Sequence, residues 1–309
     1  MNATVDCHDP VELRLAEGRL AALAWGEEGA PTWLALHGWL DNAASFSRLA
    51  PRLVARLGIR VVALDIGGHG HSAHLASASH APGPGDYALW DYCHDVLDAA
   101  DDLGLERLTL LAHSMGAGVA CLTAAALPER LARLVLIDGL GALTTEAERA
   151  PDQLRRGLLA HRRAASPAPH YPDRETAVAA RVAGGATPID ADTAAPLVAR
   201  NLMALENGRV GLRTDSRLVR PSPVRFCPEQ VQACLGAIRC PTLLLEGETG
   251  ILGERERACA ARAALPGLTR RVLPGGHHLH LETAAVDEVA ESIGAWVEAA
   301  AATDGEGSA

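Results

Sequence analysis

Ser114 sits where a single hydroxyl can do chemistry. In LTLLAHSMGAGVA, residues 108–120, it separates a run that reads as the end of a buried strand (Leu108, Leu110, Leu111) from one that reads as the start of a helix (Gly116, Ala117, Gly118, Val119, Ala120). A sharp strand-to-helix turn lifts a serine out over the sheet edge, where it can attack a carbonyl. Such a turn crowds its neighbours, so small residues are needed two positions either side. Ala112 and Gly116 stand there, alanine being a mild departure from the usual glycine. The plain alternative is a buried serine on an ordinary strand–helix turn.

A serine hydroxyl is a weak nucleophile until a base takes its proton, and the base works best when a third group orients it. GGHHLHLE (275–282) supplies His277, His278 and His280. Its two glycines let the backbone turn and bring a ring back over the sheet edge. His277, directly after Gly276, is the expected base and His278 its rival. A three-histidine metal site is disfavoured, because no carboxylates stand at ligand spacing. Two residues compete as the orienting acid. Asp138 ends LVLID before GLG and so faces the same edge as Ser114, whereas Glu248 lies in the GETG turn after the next strand. Geometry favours Asp138, with Glu248 as the alternative; a turn cap is the structural reading of Asp138. The developing oxyanion needs two backbone N–H groups. Met115, next to the serine, is one candidate and Trp39, in HGWLDN, is the other. His37 is expected to hold that loop by hydrogen bonds. DIGGHGHS (65–72) reads as a loop shaped by its glycines, and His69, His71, His74 and His80 as packing or surface groups.

These groups need a scaffold, and the chain alternates strand and helix signals. VELRLAEGRLAALAWG (11–26) alternates apolar and polar residues like a hairpin. Buried strands are predicted at 32–38, 59–65, 107–112 and 133–138, with helices at 46–57, 86–103 and 115–127. The rhythm breaks after Asp138: 141–237 carries arginine-rich helical segments between Pro and Gly clusters, with no convincing strand. Alternation resumes at 240–250, 254–264, 268–273 and 283–300. The pattern is an α/β fold built on a mostly parallel sheet, with the middle segment inserted between two strands.

Composition excludes several chemistries. The 309 residues are 48% hydrophobic, which suits a core-forming globular protein. A net charge of −10 gives no basic footprint, so nucleic acid is not an expected partner. All 28 basic residues are arginine, which rules out a lysine Schiff base or phosphate clamp. Seven cysteines, never spaced as CxxC, suggest neither a disulfide framework nor a zinc site, and a reducing, cytoplasmic setting is expected. The first fifteen residues lack a signal-peptide pattern, and no apolar run would span a bilayer, so no membrane partner is expected.

HGWLDNAASF, DIGGHGHS, HSMGAG, LVLIDGLG and GGHHLHLE, in that order over about residues 20–300, resemble the α/β-hydrolase superfamily. HGWLDNAASF with LIDGLG, PSPVRF and GGHHLHLE resembles its serine-hydrolase-like branch more narrowly. The resemblance implies an eight-stranded, mostly parallel sheet flanked by helices, with a helical cap inserted after the sixth strand. The core would be 1–140 and 238–302, the cap 141–237, and 303–309 a disordered tail. It assigns the nucleophile to Ser114, the base to His277 and the oxyanion position to Trp39. The superfamily's usual acid position is occupied by Gly250, a departure that leaves Asp138 favoured over Glu248. Serine at the elbow implies esters, thioesters, lactones, amides or some carbon–carbon bonds, hydrolysed without a cofactor. A small acyl compound is the expected partner; a ligand-binding protein that keeps the fold is the other class.

Overall fold

Period-2 alternation along each strand sends side chains to opposite faces, so each apolar strand can serve two cores at once. The computed structural model describes residues 9–75, 87–163, 168–185, 187–206 and 208–306. β1 (Val11–Leu15) and β2 (Leu20–Trp25) form the expected hairpin, with Leu15 opposite Leu20. β3 (Thr32–Leu36), β4 (Arg60–Asp65), β5 (Leu108–His113) and β6 (Leu131–Ile137) follow. Three short strands, β7 (His170–Tyr171), β8 (Leu202–Ala204) and β9 (Val210–Leu212), form a separate small sheet. β10 (Thr242–Gly247) and β11 (Leu268–Leu273) then complete the main sheet. Its eight strands run in the order β1-β2-β4-β3-β5-β6-β10-β11. β2 pairs antiparallel with β1 and β4, and the other neighbours pair parallel.

Helices cover both faces. α1 (Leu49–Leu57) packs with the C-terminal helix on one side, where Leu49, Leu53, Val289, Ile293 and Trp296 meet Trp33, Leu111, Val135 and Leu243. α2 (Tyr92–Asp102) and α3 (Met115–Ala126) lie on the other, where Val96, Val119 and Ala124 meet Leu34, Leu110, Leu134 and Leu244. The insertion after β6 contains α4 (Ala150–His161), α5 (Arg174–Gly184) and α6 (Ala191–Asn201). Asp173 and Asp190 cap α5 and α6, each accepting from a backbone N–H three residues on. α7 (Pro228–Ala237), α8 (Glu256–Ala264) and α9 (Val286–Glu306) finish the chain.

Three expectations change. α7, grouped with the insertion on composition, buries Val231 and Leu235 in the same core as α3, so it belongs with the sheet. β7, β8 and β9 lie where no strand was expected, being too short to show a period. α9 begins at Val286 rather than 283 and runs to Glu306, into the stretch expected as a tail. The expectations for residues 1–8 (including Cys7), His80 and 307–309 lie outside the described residues. No helix among the described residues is long and apolar enough to cross a membrane.

The insertion is anchored by a buried ion pair. Arg200 of α6 is 2.8 Å from Asp65 at the end of β4 and also reaches Glu12 at 2.6 Å. The Asp65 side chain is fully buried, whereas that of Glu12 is half exposed. Removing one partner of a buried pair strands the other charge, which costs far more than breaking an exposed one. Arg200→Leu should lower the unfolding free energy by roughly 3 kcal/mol in urea titration, and Glu12→Gln by less than about 1 kcal/mol. Equal losses would contradict this assignment.

Candidate active site

Ser114 stands between β5 and α3 with φ 52° and ψ −113°, a conformation rarely adopted by residues with a side chain. Its neighbours enforce it. Ser114 N–H donates to Ile137 O at 3.0 Å, and Gly116 N–H to His37 O at 3.1 Å. A Cβ on Gly116 would collide with the Leu36 carbonyl, so the small residue inferred at this position is required by contact. The turn leaves Ser114 half-buried at the carboxyl edge of the sheet.

Two strand ends and one loop meet there. Asp138 follows β6 at φ 40° and is fully buried, with its N–H on Leu245 O at 2.7 Å. His277 lies in the loop after β11. Its Nδ1 donates to Asp138 Oδ2 at 2.6 Å, and its Nε2 accepts from Ser114 Oγ at 2.9 Å. Asp138 Oδ2 also takes the Ile251 N–H at 2.8 Å. The three residues thus form one unbroken hydrogen-bond chain from a buried carboxylate to a reachable hydroxyl. The Glu282 carboxylate accepts the Gly276 N–H at 3.0 Å and braces the loop before His277.

Glu248 is not part of this chain. It is exposed, its N–H pairs with Leu273 O, and its carboxylate has no hydrogen bond or ion pair among the described residues. Gly250 explains the departure from the usual acid position. A side chain there would run into the Asp138 carboxylate, so the two positions exclude each other. His278 is also directed elsewhere, donating from Nε2 to Asp41 Oδ2 at 3.1 Å. His280 pairs with Ser45 Oγ at 2.8 Å. With each ring committed to a different partner, the three histidines of this loop do not converge as a metal site.

Gly38 lies against Ser114, which brings the HGWLDN loop to the serine hydroxyl. Among the described residues, the backbone hydrogen bonds of the two turns leave the Trp39 and Met115 N–H groups without a carbonyl acceptor. Met115 also opens α3, so the positive end of the helix dipole faces the same space. His37 holds the loop as expected, its Nδ1 donating to Gly38 O at 2.7 Å and its Nε2 accepting from Ile66 N–H at 3.1 Å. Trp39 donates from Nε1 to Leu218 O of the insertion at 3.1 Å.

Two residues missed in the sequence lie beneath. His113, just before the serine, donates from Nε2 to His277 O at 2.9 Å. Asp41 bonds His278 and lies 3.5 Å from Arg181 of the insertion. Both sit inside quoted motifs, yet only folding assigns their partners. Asp41, His113 and His278 offer donor atoms within 4.8 Å of one another, a spacing that suits a metal ion. The Arg181 cation already occupies one side of Asp41, so the group reads as a hydrogen-bonded layer. Burial works to raise the Asp41 carboxyl, but the His278 hydrogen bond and the nearby positive charge hold it well below the usual range. Burial and neighbouring histidines push His113 and His280 well below their ordinary value. Burial, with His37, lowers His69 to about 3.

Comparison with known proteins places the fold in a known family. The profile of the alpha/beta hydrolase fold family fits residues 31–284. A serine hydrolase-like protein of Dictyostelium discoideum is 32% identical over 275 residues, covering 85% of this chain and 74% of that protein. The crystal structure of a hypothetical protein from Pseudomonas aeruginosa PAO1 is 44% identical with a TM-score of 0.82, covering 94% of this chain and 99% of that one. A thioesterase domain from the curacin biosynthetic pathway is 26% identical with a TM-score of 0.74, covering 92% and 98%.

The buried histidines set the pH response. His69, His113 and His280 have folded-state values below the unfolded one, so the fold favours their neutral forms. Their stabilisation is complete above about pH 6.5 and is lost as pH falls below it, by up to roughly 1.4 kcal/mol per pH unit for each group. Urea titrations at pH 7, 6 and 5 should show stability dropping steeply. A flat profile would contradict the neutral assignment.

Proposed function

Because this chain belongs to the alpha/beta hydrolase family, we propose that it is a serine hydrolase that cleaves a small carboxylic ester or related acyl compound through an acyl-enzyme intermediate. The reading is carried by the chain of bonds from Asp138 through His277 to Ser114, 2.6 and 2.9 Å long. His277 Nε2 takes the Ser114 proton as Oγ attacks the carbonyl carbon. The tetrahedral oxygen gathers negative charge, which the Trp39 and Met115 N–H groups stabilise. The imidazolium formed is stabilised by the Asp138 carboxylate and returns its proton to the leaving alkoxide or thiolate. Water enters next, His277 accepts its proton, and the same oxyanion donors act again as the acyl group is released. None of these steps calls on a cofactor.

The insertion acts as a cap in this proposal. It meets the oxyanion loop through Trp39 with Leu218 O, Asp41 with Arg181, and Asn42 Nδ2 with Leu197 O at 2.8 Å. Its surface is then the place where acyl preference is set. The likeness to a thioesterase domain keeps thioesters within the acyl class.

Turnover of a short p-nitrophenyl ester tests the roles. Ser114→Ala should reduce it to the uncatalysed background. Asp138→Asn should lower kcat by roughly 10³–10⁴-fold through the wrong imidazole tautomer. Glu248→Gln, a change at an exposed side chain, should stay within about twofold. A severe loss in Glu248→Gln with a mild one in Asp138→Asn would overturn the acid assignment.

A further inference from the structure

PSPVRF, residues 221–226, takes no part in the catalysis proposed above, but it carries an arginine without a counter-charge. Arg225 lines a groove of about 360 Å³ between the start of the insertion and α8. Four guanidinium groups reach that groove. Arg257 is neutralised by Glu146 at 2.5 Å, and Arg149 lies 3.9 Å from Asp152. Arg156 is held by the neutral Gln153 carbonyl, and Arg225 has no acceptor among the described residues. The groove thus holds four guanidiniums against the two carboxylates of Glu146 and Asp152, and Arg156 and Arg225 are the two not paired with either. Burial and then the Arg156 charge both push Arg225 below its ordinary value. An oxyanion set across the exposed Arg156 and the half-buried Arg225 would accept from both and offset their mutual repulsion.

The groove is built rather than incidental. Gln153 is 5% exposed and ties α4 to the same motif by donating to Ser222 O. Phe226, next to Arg225, accepts the Thr145 N–H at 3.0 Å and sets its ring edge-on to Trp90, with centroids 5.8 Å apart. Arg225 thus projects from backbone fixed on both sides. The groove is also tied to the Ser114 turn by chain connectivity. Its wall at Thr145 is reached by the short segment that leaves Gly139, whose backbone lies against Ser114. A six-residue span bounds the wall at about 25 Å from Ser114.

We propose that this groove is an anion subsite, in which Arg156 and Arg225 together hold a carboxylate or phosphate carried by the acyl substrate away from the bond that breaks. Paired guanidiniums suit such a group because each presents two parallel N–H donors to two oxygens. The catalytic consequence rests on the serine-hydrolase reading; the binding itself does not.

Two substrate series separate the sources of the anion. Mono-p-nitrophenyl esters of dicarboxylic acids of increasing length, against neutral p-nitrophenyl esters of equal length, place a carboxylate on the acyl side. Coenzyme A thioesters, against N-acetylcysteamine thioesters of the same acyl group, place phosphates on the leaving-group side. The wild-type protein should prefer the anionic member of one series. Arg225→Gln and Arg156→Gln should each lower that preference about tenfold or more, mainly through KM. Inorganic phosphate binding to the Ser114→Ala protein, followed by calorimetry, should weaken likewise when Arg225→Gln is added. An unchanged preference in both series, or phosphate binding indifferent to Arg225, overturns the subsite. If no ester turns over but phosphate binding still depends on Arg225, the hydrolase reading fails and the subsite stands.

Discussion

A serine forced into the left-handed half of backbone space, at φ 52° and ψ −113°, is the constraint from which the other site elements follow. Holding a residue with a side chain there costs of order 1–3 kcal/mol and persists only where the surroundings over-determine it. Here they do, because β5 is buried along its whole length and its edge is locked between β3 and β6. The turn must pass from strand to helix with no linker. That brings the first N–H of α3 beside the hydroxyl, sets Gly116 against the Leu36 carbonyl, and so draws in the HGWLDN loop. One strained residue thereby gathers the serine hydroxyl and both candidate oxyanion donors into one space.

The acid follows from the same economy of space. Asp138 closes β6, the strand next to the one that ends at Ser114, and its carboxylate fills the volume that a side chain at position 250 would need. A carboxylate on the next strand end can still reach His277 Nδ1, because both positions look onto the same edge. Standing one strand further inward, the Asp138 carboxylate is fully buried and bonded to His277 Nδ1 and the Ile251 N–H. Beneath it, His113 and the Asp41–His278 pair brace the base loop and the oxyanion loop from below. The insertion joins that layer through Arg181, so it shares supports with the Ser114–His277–Asp138 chain.

Much of this was legible before folding because it is local. The elbow around Ser114, the glycines before His277 and the strand-end position of Asp138 are each written within a few residues. Strand and helix alternation likewise announced the sheet, whose parallel strands are near-continuous apolar runs. Other features were not legible, for physical reasons. Two- and three-residue strands such as β7 and β8 show no period. α7 looks like the insertion in composition, and only its packing of Val231 and Leu235 on α3 places it with the core. Asp41 and His113 were invisible as partners because a buried polar group is identified by what it bonds, and those bonds join residues far apart in the chain. The uncompensated Arg225 is of the same kind, since its lack of a counter-charge exists only in three dimensions.

The central claim is that Ser114 is a nucleophile activated by His277. Intact-protein and peptide mass spectrometry after exposure to a fluorophosphonate tests it most directly, since covalent capture needs an activated hydroxyl and does not require knowing the substrate. The account predicts a single phosphonyl adduct on the peptide containing Ser114, absent in Ser114→Ala and formed far more slowly in His277→Ala. An unlabelled wild-type protein, or an adduct on another residue, would contradict it.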